Sequence, residues 1–435
     1  MYHFFNNIAQ KLLPDWLYLQ LIGQWDTHGL KRYLANTGWS LSGRIITLMI
    51  SFVATVFVVR YLGPTNYGQL SYALNFIGLF TIFSSLGLPQ ILSRDLLLYP
   101  EKRNVIMGTA TTLHFIGGLF AFALVNIFAY TLLEKDVAQL AIFLLSSTLI
   151  LNLYQPLTHE FGVNVQQKYL AVVSIFVVIL LNLLKFAVII SDGGVLWFIS
   201  ILVLEPILYM FILGTIRTKL HGPITSWRFE NSTAVELLKN SWPFIFIAGF
   251  TVLFTRIDQV ILKHLLGPES VGVYDVAVRL SELWLFVPSI IATSLYPAIV
   301  NAKKSSVVEY KRRLLNLLGI LLAFSLPLVC VLLLISEPLI LFLYGEAFSE
   351  AINIFRIYAW SSIILSIYVV THHFLITENH RKTIFVTTLC AALINIALNY
   401  LLIPHLGTAG AAWSTLIAYL VLILPLIQIF KLGSR

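Results

Sequence analysis

From residue 39 onward the apolar positions fall into continuous runs of about 20 residues, the length that crosses a bilayer as a helix, separated by short polar, Gly- or Pro-containing stretches. This pattern predicts twelve transmembrane helices near 39–62, 68–94, 105–130, 137–156, 168–191, 195–216, 242–263, 272–300, 314–335, 352–376, 383–404 and 408–431. The runs lack period-two alternation, which disfavours a transmembrane β-barrel. The predicted class is an all-α polytopic membrane protein.

Several runs carry a single polar stripe at helical spacing. Arg44 continues through Thr47, Ser51 and Thr55 on span 1, and Asn182 and Lys185 are neighbours on span 5. Thr148, Asn152 and Gln155 line up on span 4, Thr251, Thr255 and Asp258 on span 7, and Asp275, Arg279 and Glu282 on span 8. One polar line on an otherwise apolar helix is what the wall of a central cavity needs. A charge at the bilayer centre costs roughly 2.5–3.5 kcal/mol on insertion scales. Arg44, Lys185, Arg256, Arg279 and Arg356, together with Glu205, Asp258 and Glu282, all lie within predicted spans. They are expected to face water or one another. The basic members are candidates for anion contact, and Asp258, Glu282 and Glu205 for ion coupling or for structural ion pairs. Two pairings are open: Asp258 with Arg279, and Glu282 with Arg256 or Arg279. Asn395 and Asn399 on span 11 are expected to join helices.

The chain also repeats. "LGPTNYG" at Leu62 and "LGPESVG" at Leu266 share the form L-G-P-x-x-x-G at a displacement of 204 residues. Gly-Pro ends one helix, and the later Gly is expected to help the chain turn into the next. Each motif stands early in a set of six spans, so the halves are parallel repeats, an arrangement that places a substrate site between them. The predicted organisation is a cytoplasmic N-terminal segment over 1–38, an N-terminal lobe over 39–216, a cytoplasmic linker over 217–240 and a C-terminal lobe over 241–431. "LPDWLYLQLIGQW" in the first segment has the character of an amphipathic surface helix or of a plain tail, without the layout of a cleavable signal peptide.

Composition agrees. The 435 residues are 58% hydrophobic and 11% charged, with a net charge of +8. If the N-terminus is cytoplasmic, the opposite side holds only Arg60, Lys135 and Lys263 among the basic loop residues, so the charge reports topology and nucleic acid need not be invoked. Cys330 and Cys390 offer neither a disulfide framework nor a metal spacing, and His372-His373 lacks further ligands. No Walker A loop or other cofactor motif is present. A membrane-embedded polymerase or ligase would carry a large loop with clustered catalytic groups, whereas the longest outer loop, 336–351, has three glutamates and no basic residue.

With these residues in view, the chain resembles the polysaccharide exporters of the multidrug/oligosaccharidyl-lipid/polysaccharide (MOP) flippase superfamily, especially the O-antigen flippases. The likeness rests on "LSGRIITLMISFVATVFVVRYLGPTNYGQLSYALNF", on "RIDQVILKHLLGPESVGVYDVAVRLSELW" and on "NYLLIPHLGTAGAAWSTLIAYL". It implies two six-helix lobes around a central cavity that moves an undecaprenyl-pyrophosphate-linked oligosaccharide across the bacterial inner membrane. The implied partners are membrane lipids, a driving Na+ or H+ gradient and a polysaccharide polymerase. By position Arg44, Arg60 and Arg94 look like family arginines, and Asp258, Arg279 and Glu282 resemble the second-half pattern. The rival within the superfamily is a multidrug cation antiporter.

Overall fold

The computed structural model describes residues 27–132 and 137–431. The amphipathic segment expected within the first 38 residues lies, up to residue 26, outside the described residues, as does Lys135. Among the described residues every regular element is helical.

Eleven of these helices are long and apolar enough to cross a membrane. The first, α1 (Thr27–Gly78), runs 52 residues without an assigned break. A straight helix over its 44-residue apolar part, Ala35–Gly78, would reach about 66 Å, twice the apolar thickness of a bilayer. It is not straight: Gly63 has φ 68°, ψ 175°, outside helical space, and Pro64 restarts the helix on the way back. Glycine tolerates that positive φ because it has no Cβ. Span 1 therefore ends at Gly63. Span 2 is assembled from the rest of α1, α2 (Thr81–Ser85) and α3 (Pro89–Leu98), and this interrupted crossing completes the twelve.

Span 3 is α4 (Arg103–Leu132), span 4 is α5 (Val137–Leu151) with α6 (Gln155–Val163), and spans 5 and 6 are α7 (Gln167–Ile190) and α8 (Val195–His221). Span 7 is α9 (Asn231–Leu266). Span 8 joins α10 (Pro268–Glu282) to α11 (Phe286–Ser305), and span 9 is α12 (Val307–Tyr344). Span 10 joins α13 (Ala351–Ala359) to α14 (Ser361–Thr377). Spans 11 and 12 are α15 (Arg381–Leu406) and α16 (Thr408–Ile423), the latter followed by α17 (Leu426–Phe430).

The repeat is exact in places where sequence does not show it. The interruption after Gly78 in span 2 recurs after Glu282 in span 8, again 204 residues on. Spans 4 and 10 are likewise broken, at 152–154 and at Trp360. Packing repeats as well: span 1 lies on 5, 3 on 4 and 5 on 6, and correspondingly 7 on 11, 9 on 10 and 11 on 12.

Tight turns at Gly63, Gly267, Gly345 and Gly407 mark one face of the bundle, the hairpin face; the 222–230 connection marks the opposite, linker face. At the hairpin face one apolar core runs through both halves, with Val59, Leu62 and Tyr67 packed among Leu262, Val271 and Tyr274. Toward the linker face the core divides. Leu92, Ile106 and Leu157 stay within the first half, and Ala292, Tyr310 and Phe374 within the second. The halves join at one end and part at the other, leaving a cavity between them.

The stretch expected as a linker is mostly helix, since α8 runs to His221 and α9 begins at Asn231. It is also pinned. Arg217, fully buried, meets Glu160 at 3.3 Å, donates to the Gly222 carbonyl at 2.6 Å and lies over the Trp227 ring. Arg228 N donates to the Asn104 carbonyl, and Glu230 N to Thr109 Oγ1. Hydrogen bonds from the Thr233 and Ser232 hydroxyls hold the Glu230 carboxyl below its ordinary range.

Candidate functional site

The roof of the cavity is the seam between spans 2 and 8. A Cβ on Gly68 would collide with the Pro268 carbonyl, and one on Gly272 with the Pro64 carbonyl, while each would also press on the other glycine's amide. The two L-G-P-x-x-x-G motifs thus cross face to face, exchanging equivalent contacts about a pseudo-twofold axis. This corrects the expected role of the later glycine: Gly63 and Gly267 make the turns, and Gly68 and Gly272 let the two backbones touch.

Below that crossing a buried polar network ties the halves together. Tyr67 Oη donates to Asp275 Oδ2 at 2.6 Å, and Gln259 Nε2 donates to Asp275 Oδ1 at 3.1 Å. Asn75 Nδ2 and Ser71 Oγ, from span 2, donate to Gln259 Oε1 at 2.6 and 3.2 Å. Arg279 Nε meets Asp275 Oδ2, one helical turn away on the same helix. Asp275 and Gln259 are fully buried, whereas 42% of the Arg279 side chain is open. Arg279 therefore projects from the roof into the cavity with its charge balanced from behind.

Neither sequence pairing forms for Arg279: its carboxylate is Asp275, and neither Asp258 nor Glu282 is within ion-pair distance of it among the described residues. Asp258 instead sits in a buried knot inside the second half. Tyr274 Oη donates to Asp258 Oδ2 at 2.6 Å, Gln259 N to Oδ1 at 2.8 Å and Thr415 Oγ1 to Oδ2 at 3.5 Å. Asn395 Nδ2 donates to Thr415 Oγ1, and Asn399 Nδ2 to Asn395 Oδ1. Spans 7, 8, 11 and 12 meet here, as the expectation that the asparagines join helices required.

The remaining charges gather round Arg279. Lys185 Nζ donates to Asn182 Oδ1 at 3.2 Å. Glu282 is acted on by Arg256, Arg279 and Asp275. Lys185, Glu205, Arg256 and Glu282 are all half-buried, none in an ion pair within 4 Å among the described residues. Lys185 sits about 200° round its helix from Leu183, on the lipid-facing stripe with Phe176 and Ile190, so it faces inward. Arg44 is exposed yet nine residues, about 180°, from Val53 on the exposed apolar stripe that also holds Met49 and Phe57, and it too faces away from lipid.

Arg356 is not part of this group. Its Nε donates to Ser336 Oγ at 2.7 Å and its guanidinium reaches Glu337 at 3.6 Å, tying span 10 to span 9. Arg60 reaches across the halves to the Phe342 carbonyl at 2.9 Å, and Arg94 pairs with its neighbour Asp95. These are fastenings. His372 and His373 belong to no three-ligand metal cluster among the described residues.

Two spaces lie in the bundle, only the first of them lined by a member of the charged group. One, of about 240 Å³, lies within the first half at the helix breaks of spans 2 and 4, lined by Ile77, Thr148, Asn152, Tyr154 and Glu205. The other, of about 940 Å³, occupies the linker-face mouth between Gln90 of the first half and Trp242, Phe246, Thr251 and Phe385 of the second.

Sequence reasoning missed Tyr67, Ser71, Asn75 and Gln259. The repeat held the signal for two of them, because Ser71 and Asn75 displaced by 204 residues fall on Asp275 and Arg279.

The chain is similar to known transporters in sequence and in fold. The chain is 22% identical over 236 residues to a probable low-salt glycan biosynthesis flippase, Agl15, of Haloferax volcanii, an alignment that takes in 53% of this chain but only half of that protein. It is 22% identical to a putative O-antigen transporter of Shigella flexneri over 88% of this chain and 94% of that one. Among solved structures, an inward-facing multidrug resistance MATE family transporter of the MOP superfamily superposes with a TM-score of 0.73 at 13% identity, covering 91% of this chain and 99% of that chain. The lipid II flippase MurJ, in an inward closed conformation, superposes with a TM-score of 0.73 at 18% identity, covering 92% and 87%. The MatE family matches residues 243–401. The family described as polysaccharide biosynthesis protein matches residues 33–303, well over half of the sequence, and the chain belongs to that family, on the fold of the MOP transporters.

Proposed function

We propose that this protein flips an undecaprenyl-pyrophosphate-linked oligosaccharide, an O-antigen or similar repeat unit, across the bacterial inner membrane by alternating access. The observation that carries the proposal is Arg279, 42% open beneath a roof closed by interlocking glycines, hydrogen bonds and a shared apolar core, with the half-buried Lys185 and Glu205 on the first half and Arg256 and Glu282 on the second. Head group and glycan enter from the linker face while the lipid tail stays in the bilayer. Guanidinium groups match phosphate oxygens in geometry as well as charge, so Arg279 and Arg256 meet the diphosphate, Lys185 assists and Arg44 draws the anion inward. The crowding of basic residues at the linker face supports a cytoplasmic orientation for that face.

Coupling belongs to Asp258. Thr415 Oγ1 lies against it at 3.5 Å, Asn395 and Asn399 continue the chain of hydrogen bonds from Thr415, and Asn399 Oδ1 is buried with no hydrogen-bond partner. A hard cation prefers oxygen ligands, and the Asp258 carboxylate and the unpartnered Asn399 Oδ1 are the candidates here. Asp258 holds the negative charge and the carboxamides orient the rest. Glu205 and Glu282 remain as proton carriers at the cavity wall.

The test is reconstitution of the full chain in proteoliposomes with a fluorescent undecaprenyl-diphosphate oligosaccharide. Lys185→Ala and Arg256→Ala are expected to slow flipping about tenfold or more, the loss of one charge-assisted contact, at unchanged thermal stability. Asp258→Asn should remove dependence on the ion gradient. The second reading, a multidrug cation antiporter, is favoured by the MatE match over 243–401. It takes precedence if the vesicles expel ethidium and leave the lipid-linked glycan where it was.

A further inference from the structure

The 940 Å³ mouth cavity is not used by the charged group under the roof, and its chemistry differs. Trp242, Phe246, Ile247, Ile384 and Phe385 give it an apolar wall, braced by the edge-to-face contacts of Phe246 with Trp242 and Phe385 with Phe250. Arg381 and Lys382 stand at its rim as the first two residues of α15. Both are exposed, and among the described residues neither pairs with a carboxylate. Asn379 Oδ1 accepts from Arg381 Nε at 3.0 Å and so fixes the guanidinium. Glu378, the carboxylate nearby in sequence, is held by Lys303 at 3.1 Å. Two uncompensated cations therefore border a large apolar hollow whose far side is Gln90 of the other half.

We infer that this mouth is a docking subsite for an isoprenoid diphosphate, with the isoprene units nearest the head group lying against Trp242, Phe246 and Phe385 and the diphosphate on Arg381 and Lys382, before the head group passes to the deeper charges. The inference rests on the lipid-linked reading above. A large apolar hollow favours a hydrocarbon occupant over water. Two adjacent cations, one a guanidinium fixed by its neighbour, favour a diphosphate over a neutral glycan or a cationic drug. The positive end of the 26-residue α15 adds to the same pull.

The probe is undecaprenyl diphosphate, titrated against the purified full chain in phosphatidylcholine nanodiscs. Arg381→Ala with Lys382→Ala should weaken binding about tenfold or more, and Ala248→Trp, which fills the hollow, should do the same. The charge pair is exposed, so its variant reports even if the tryptophan disturbs folding. Wild-type binding that neither variant alters would overturn the subsite and leave the lipid-linked reading standing. Failure of the wild type to bind the probe at all would overturn both. Displacement of the probe by an equal mole fraction of phosphatidylglycerol would make the mouth a general site for anionic lipid, and the inference would fall.

Discussion

Asp275 is the residue on which the two halves lean most. It accepts from Tyr67 of one half and from Gln259 and Arg279 of the other, at zero exposure. A buried carboxylate stripped of its cation costs about 3–5 kcal/mol, whereas replacing both members of the pair by apolar residues is often neutral or stabilising. Arg279→Met is therefore expected to lower the thermal midpoint in detergent sharply, and Arg279→Met with Asp275→Leu to recover much of it. Exchanging Arg279 with Glu282 should rescue nothing, because Glu282 is not the partner. Tyr67→Phe removes one hydrogen bond to a charged group, about 1.5–3 kcal/mol, and does so only across the seam. Its expected effect is a shift in population toward the state open at the hairpin face, read as faster modification of a cysteine placed at Ser71. An unchanged labelling rate would show that Tyr67 does not hold the seam closed.

At the scale of elements, the spans and their alternation were legible because hydropathy acts locally: each helix satisfies its own backbone, so a run of apolar residues declares a crossing without help from its neighbours. That Arg44 and Lys185 lie off the exposed apolar stripes of their helices was legible too, since a polar stripe fixes a face. What the sequence hid are the relations between helices. The i, i+4 spacing put Asp275 beside Arg279 on one face, but nothing local chooses it over Glu282 or Asp258 as the partner, or says that Arg356 leaves the cavity for Ser336 and Glu337. Asp258 looked like an ion-pair partner, and only packing surrounds it with Tyr274 and Thr415. The glycines show the same division. Gly63 is readable as a turn, but Gly68 becomes intelligible only when the Pro268 carbonyl lies against it. Gly68→Ala and Gly272→Ala both overpack that crossing, an error of typically about 1–3 kcal/mol. Their equivalence across the repeat predicts matching effects: each should open the hairpin face to labelling at Ser71. If one variant acts and the other is silent, the crossing is not symmetric in energy.

At the scale of the whole molecule, alternating access requires the two halves to move as bodies about some joint, and the chain passes between them through residues 222–230 and α9. The connection itself is a poor joint, because Arg217, Arg228 and Glu230 fasten it to spans 3, 4 and 6. The first turns of α9 are no better, since Ala234 and Leu237 are buried in the core of the first half. Farther along the same helix, Phe254 packs with Ala391 and Tyr419 of the second half. The change of allegiance falls between Leu237 and Phe254, and Pro243 stands there. Proline has no N–H to give the carbonyl of Lys239 four residues back, and its ring crowds that carbonyl, which makes this turn the soft point of a long helix. Gly87 of span 2 lies directly against it, where a Cβ would press on the Ser241 carbonyl. Pro243→Ala restores the missing hydrogen bond and stiffens α9 across the boundary between the bodies. The expected result splits transport from binding: flipping slows about tenfold, affinity for undecaprenyl diphosphate is unchanged, and the thermal midpoint rises because a proline in a helix interior costs about 3 kcal/mol. Normal flipping with a raised midpoint would place the joint outside α9, whereas loss of affinity together with flipping would mean that Pro243 shapes the mouth cavity it borders.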